Sequence, residues 1–210
     1  MKPPTIDAAV WAVLADYEAR AEREEKLWEA LGPEEAERRI DELLLPVGRA
    51  TGTLLNLLAK EAGARRILEI GSSYGYSTVW LAEAARAVHG KVVSLELRRE
   101  KTEYALAQLE RCGLAAYVEF RIGDALASLP ELPGLFDLVL IDLWKNLYVP
   151  VFELLHPKLA PGALVIADNM LEPASTRPYA HAYRHAVHAA RDMSSVLLAV
   201  GNGIEVSRYQ

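Results

Sequence analysis

Two short apolar runs, Leu138-Val139-Leu140-Ile141 and Ala163-Leu164-Val165-Ile166, each stop on an acid, Asp142 and Asp168. Runs of about four aliphatic residues bounded by polar ones suit parallel strands buried on both faces. Between them, Val151, Phe152, Leu154, Leu155 and Leu159 mark a helix over 148–159, and Pro161-Gly162 supplies a turn into the second strand. The pattern predicts a β-α-β unit over 136–169. Neighbouring parallel strands end side by side, so Asp142, Asp168 and Asn169 should gather at one edge with Lys145 just above them.

The rest of the chain extends this unit. Ile6, Val10, Val13, Leu14 and Tyr17 recur at helical spacing in a helix predicted over 5–31, which Gly32-Pro33 ends. Its charged run, 18–26, reads as a solvated face rather than a partner surface. Pro33 with Glu34 and Glu35 makes a good first turn for a second helix reaching about residue 45, because proline needs no donor there and acids favour the positive end of the helix dipole. Pro46-Val47-Gly48 breaks the pattern before a third helix over 49–62. These helices must cover something, either the mouth of a site or a second copy of the chain. Strands are expected at 66–70, 91–95 and 117–122, with helices over 76–89, 100–112 and 178–192. The segments 195–200 and 204–209, joined by Gly201-Asn202-Gly203, form a terminal antiparallel hairpin. The result is a Rossmann-like, doubly wound α/β sheet of seven strands, six parallel and the last antiparallel. It forms a single domain over 1–210, with N-terminal helices to residue 62 and the core from 63.

Composition narrows the partners. The 210 residues are 51% hydrophobic, carry a net charge of −6 and include one cysteine. An acidic chain without clustered Lys and Arg is a poor match for nucleic acid. The lone Cys112 excludes an internal disulfide and suits a reducing compartment. No apolar run approaches the ~20 residues of a membrane span, and the first residues lack the apolar stretch of a signal peptide. A cytoplasmic protein is expected.

Four strand ends carry candidate chemistry. Gly71-Ser72-Ser73-Tyr74-Gly75 leaves the first strand and opens a helix, which lets a backbone approach a ligand at a helix N-terminus. Its G-x-x-x-G spacing differs from the G-x-G-x-x-G of dinucleotide sites, which disfavours NAD. Glu96 ends the second strand about 20 residues later, where such folds place an acid on ribose hydroxyls. His181, His185 and His188 share a helix face but lack an adjacent acid-base residue, so a solvated face is preferred over a zinc site. Singly, Asp142, Asp168, Asn169 and Lys145 could each be a loop cap, a turn residue or a solvated cation. Together at one sheet edge they favour a metal site.

The order of motifs resembles the class I S-adenosylmethionine-dependent methyltransferases, and within them the metal-dependent small-molecule O-methyltransferases of the catechol and caffeoyl-CoA group. LEIGSSYGYS, VVSLE, RIGDA, IDLWKNLY and ADNM carry the resemblance, which covers about 45–209. It implies that Val47, Glu69, Gly71, Ser72, Tyr74, Gly75 and Ser77 serve the methionine end of the cofactor. Glu96 would take the ribose, Gly123, Asp124 and Ala125 the adenine, and Asp142 would border both cofactor and metal. Asp142, Asp168 and Asn169 would hold Mg²⁺, or another divalent cation such as Ca²⁺ or Mn²⁺, and Lys145 would be the catalytic base. Leu43, Trp144, Tyr148 and Pro173 would line the acceptor pocket. Leu43 stands where the catechol enzymes have a tryptophan, and Ala199 where they have an acid that grips the second hydroxyl.

The implied reaction is methylation of a small molecule with vicinal hydroxyls. A phenol with a pKa of about 10 is a poor nucleophile at neutral pH, and hard oxygen ligands suit a cation that favours its anion. A homodimer built through the N-terminal helices is also expected. Two rival readings are an NAD-dependent oxidoreductase and a non-catalytic cofactor-binding protein on the same fold.

Overall fold

The computed structural model describes residues 6–31, 35 and 38–210. Seven strands form one sheet: β1 (Arg66–Ile70), β2 (Lys91–Glu96), β3 (Val118–Ile122), β4 (Phe136–Ile141), β5 (Leu159–Ala167), β6 (Met193–Leu198) and β7 (Ile204–Tyr209). Their order is β3-β2-β1-β4-β5-β7-β6, with parallel pairing from β3 to β5 and antiparallel pairing of β7 with both its neighbours. Six strands therefore run one way and β7 runs against them, as the apolar pattern predicts. The chain reverses its strand order between β1 and β4, which opens a crevice beyond their C-terminal ends.

Alternation along the strands builds two cores. Ile67, Leu138, Leu140 and Ile166 face α1 (Ala8–Glu29), α2 (Gly48–Glu61), α3 (Tyr76–Ala87) and α4 (Arg99–Arg111). Leu68, Ile70, Val139, Ile141 and Val165 face α5 (Ala125–Glu131), α6 (Tyr148–Leu155) and α7 (Arg177–Ala189). Burial on both faces explains the unbroken aliphatic runs. Among the described residues no helix is long and apolar enough to cross a membrane.

Asp7 caps α1 by accepting from the Val10 backbone N–H at 3.0 Å, and the helix buries Val10, Val13, Leu14 and Tyr17. That stripe is used within the chain, against α3 and α4, and is not left over for a second copy. The N-terminal helix covers its own sheet layer. The predicted start of the second helix at Pro33 and Glu34 lies outside the described residues. Ile40–Glu42 form a 3-10 turn, and an irregular strap over 44–47 leads to α2.

Three expectations change. Pro161-Gly162 is not a turn before β5 but lies inside it, because β5 starts at Leu159 and its register shifts between Phe136 and Leu138. An exposed proline at such an irregularity has no ladder bond to lose. The helix α5, with Pro130 inside it, was not anticipated. The charged run 18–26 is not simply solvated: Glu18 accepts from Tyr76 and Arg49, and Glu24 accepts from Arg20 and from the Leu44 backbone.

Candidate active site

The chain leaves β1 at Gly71 with φ +93°, and a Cβ there would stand 2.2 Å from the carbonyl oxygen of Asp142. Only glycine lets this loop and the end of β4 come so close. Gly75, also at φ +93°, starts α3 and has no room for a Cβ against Ala105, which would be 2.5 Å away. Between them the loop meets the N-terminus of α3, where unpaired N–H groups favour anionic or polar ligands. Ser72, Ser73, Tyr76 and Ser77 line one wall of a cleft, the strap 44–47 with Val47 forms the other, and Asp142 borders it. The Ser72 hydroxyl is buried with no partner among the described residues.

Glu96 closes the neighbouring corner. Its carboxylate accepts from the backbone N–H of Ser73 at 2.8 Å and of Arg98 at 3.0 Å, which leaves lone pairs for further hydroxyl donors. Gly123 bonds to the Glu96 carbonyl at 2.9 Å, and Asp124 caps α5 through Leu126 at 2.7 Å, so Ala125 opens that helix beside Glu96. Glu69 sits apart from the cleft. It is fully buried in β1 and accepts from Ser77 and Thr78 at 2.6 Å each and from Ser94 at 2.7 Å. Burial pushes its carboxyl up to about 7. Glu69 does not line the cleft, and of its three partners only Ser77 does. Tyr74 is also drawn aside, with the Arg20 guanidinium 4.1 Å from its ring centre.

The second cluster lies at the ends of β4 and β5, where Ile141 pairs with Ala167 and brings Asp142 beside Asp168. Lys145 Nζ donates to Asp142 Oδ1 at 3.1 Å, to the Leu143 carbonyl at 3.1 Å and to the Tyr148 hydroxyl at 2.7 Å. That hydroxyl is within 3.0 Å of the Ile141 carbonyl and 3.2 Å of the Asp168 carbonyl. Tyr148 is wholly buried under the lysine, so the pocket wall expected of it is not where its side chain lies. The three-residue offset that puts it at the start of α6 brings it beneath Lys145. Asn169 takes a left-handed φ of +57°, a conformation asparagine tolerates.

Asp168 is 2% exposed and its Oδ1 has no hydrogen-bond partner among the described residues. Burial first, and then the Asp142 charge, push its carboxyl up to about 7. A bare carboxylate oxygen facing a second acid is costly unless a positive charge joins it. Asp142, Asp168 and Asn169 offer two carboxylates and an amide, a hard-oxygen set that fits a divalent cation with positions left for other oxygens.

Trp144 is 53% exposed at the rim, Leu43 is half-buried, and Pro173 and Ala199 are exposed. His181, His185 and His188 stay on the solvent side of α7, and no group of three His, Cys, Asp or Glu side chains among the described residues is placed to hold a metal ion. Sequence reasoning missed Thr78 and Ser94, whose hydroxyls meet Glu69 from different elements, and Tyr17, whose hydroxyl reaches the Tyr74 carbonyl at 2.6 Å. No local signal marks such contacts.

The sequence profile of a family described as O-methyltransferase matches residues 18–208. A catechol O-methyltransferase of Niastella koreensis is 35% identical over 156 residues, covering 70% of this chain and 67% of that protein. A catechol O-methyltransferase of Mycobacterium tuberculosis is 41% identical over 128 residues, covering 60% of this chain, so the match spans 58% of that protein's length. Among solved structures, an O-methyltransferase of Bacillus cereus in complex with SAH superposes with a TM-score of 0.76 at 27% identity, over 98% of this chain and 92% of that one.

Proposed function

This chain belongs to the O-methyltransferase family, and from that premise we propose that it methylates one hydroxyl of a small aromatic molecule bearing two adjacent hydroxyls. The donor is S-adenosylmethionine, and the acceptor is a catechol or a hydroxycinnamoyl ester. Mg²⁺, or another divalent cation such as Ca²⁺ or Mn²⁺, rests on Asp142, Asp168 and Asn169. The observation that carries this reading is the unpartnered, buried Oδ1 of Asp168 beside Asp142.

The residues divide the work. Val47 and the loop 71–77 hold the methionine part of the donor, Ser72 offering its unpartnered hydroxyl. Glu96 accepts from the ribose hydroxyls with the lone pairs its backbone donors leave free, while Gly123, Asp124 and Ala125 border the adenine. Leu43, Trp144 and Pro173 wall the acceptor. When bound, the divalent cation supplies the charge that favours the acceptor oxygen as an anion. Lys145 takes the hydroxyl proton as a neutral amine, after losing one proton to solvent and with it one of the three bonds its Nζ donates to Asp142, Leu143 and Tyr148. The oxygen lone pair then forms the bond to the methyl carbon while the carbon–sulfur bond breaks and its electrons stay on sulfur, leaving S-adenosylhomocysteine. Holding oxygen, carbon and sulfur in line accounts for much of the remaining acceleration. Family membership removes the oxidoreductase reading, in agreement with the G-x-x-x-G loop.

Methyl transfer to a panel of catechols and hydroxycinnamoyl esters, with and without EDTA, tests the proposal. Chelation is expected to cost about a hundredfold or more, restored by excess Mg²⁺. Turnover that is indifferent to thorough chelation refutes the metal assignment, and no transfer to any member of the panel refutes the acceptor class.

A further inference from the structure

Both walls of the cleft are tied to one helix that contributes nothing to the cleft itself. On α1, Tyr17, Arg20 and Glu24 fall at i, i+3 and i+7 and so share a face. Tyr17 is 1% exposed and donates from its hydroxyl to the Tyr74 carbonyl at 2.6 Å, in the loop that forms one wall. The same hydroxyl lies 3.3 Å from the position of a Cβ on Gly75. One turn on, the Arg20 guanidinium sits 4.1 Å from the Tyr74 ring centre and 4.9 Å from that of Tyr104, and Arg20 Nε donates to Glu24 Oε1 at 2.6 Å. The other oxygen of Glu24 accepts the backbone N–H of Leu44 at 2.7 Å. Leu44 begins the strap that forms the second wall, and its own carbonyl meets Ser73 Oγ at 3.4 Å.

We infer that Tyr17 and Glu24 are positioning residues for the methyl donor: one fixes the glycine loop, the other fixes the strap, and α1 sets the width of the cleft between them. The inference rests on the cofactor reading above but not on the metal. Leu44 is buried, and its N–H loses its side-chain acceptor when Glu24 is removed. The strap then loses its anchor on α1 and the ligand must supply the ordering that the helix now provides. A helix that only adds packing would behave differently, because its apolar residues Val10, Val13 and Leu14 are untouched by changes at Glu24.

Calorimetric binding of S-adenosylhomocysteine to the full chain in EDTA decides the matter, with methyl-transfer kinetics alongside. Glu24→Ala should weaken binding about tenfold, and Tyr17→Phe about fivefold, the loss appearing in KM for the donor and not in kcat. Glu24→Gln keeps an oxygen for the Leu44 N–H and should stay within about threefold of the parent. Parental affinity in Glu24→Ala and Tyr17→Phe overturns the inference, as does equal loss in the Ala and Gln variants, which would mark a merely structural role. Should Glu24→Ala fail to fold, Tyr17→Phe and Glu24→Gln carry the same test. A parent chain that does not bind S-adenosylhomocysteine overturns the cofactor reading together with this one, whereas turnover that survives chelation overturns only the metal.

Discussion

Glu69 and Asp168 are two buried carboxyls on the same sheet, both pushed up to about 7 by burial, yet their surroundings are opposite. Glu69 is met by three hydroxyls, from Ser77, Thr78 and Ser94, and ties the first turn of α3 to β1 and β2. Asp168 has an oxygen with no partner and a second acid for a neighbour. A buried acid with both oxygens answered is architecture. One left unanswered beside a like charge is an incomplete site, which a cation completes without adding a donor. The shifted pKa alone does not separate the two; the hydrogen-bond partners do.

The sharpest way to break this contrast is to remove the charge at each acid in turn. Asp168→Asn should lower kcat/KM on the order of a thousandfold while leaving the chain as stable as before or more so, since an uncompensated buried acid is gone. Paired measurement of turnover and urea unfolding checks this, and a variant that is active or markedly unstable makes Asp168 architectural as well. Glu69→Ala should do the reverse, costing about 2–4 kcal/mol of stability as three buried hydroxyls lose their acceptor. Stability unchanged in that variant would deny the network its role.

A smaller effect follows from pH. Both carboxyls are raised in the fold, so the stability they contribute is fully present below their ordinary values, 4.5 for Glu69 and 3.8 for Asp168, and is lost as pH rises to about 7. Unfolding of the metal-free chain should therefore become easier from pH 5 to pH 8, with a share from Glu69 on the order of 3 kcal/mol. Glu69→Gln should flatten the slope at any metal concentration. Added Mg²⁺ should flatten only the part due to Asp168, because a cation favours the ionised acid. Equal responses of both acids to Mg²⁺ would erase the contrast.

How much of this was legible depended on the range of the contacts. The aliphatic runs before Asp142 and Asp168 exposed both strands and their common edge, because period and polarity are local properties. The partners of Glu69 come from residues 77 and 78 on a helix and residue 94 on the next strand, which only the folded sheet assembles. Tyr148 looked like a pocket aromatic and proved to be a bond beneath Lys145, since the start of α6 turns it inward. Glu24 looked like one charge in a solvated run, and its bond to Leu44 spans 20 residues. α5 escaped notice because it has only 7 residues and contains a proline. Pro161-Gly162 misled because a proline at an exposed strand irregularity carries the same local signature as one in a turn.

Gly71 has a consequence for how such a chain can diversify. With no space for even a methyl group against Asp142, the donor loop and the acid at the end of β4 form a single rigid joint, and neither can be remodelled without dislodging the other. Leu43 and Pro173 hang on separate, more exposed segments, and Trp144, only two residues past Asp142, is itself 53% exposed. With those three residues walling the acceptor as proposed above, exchanging them should alter acceptor preference while leaving the Gly71 joint intact.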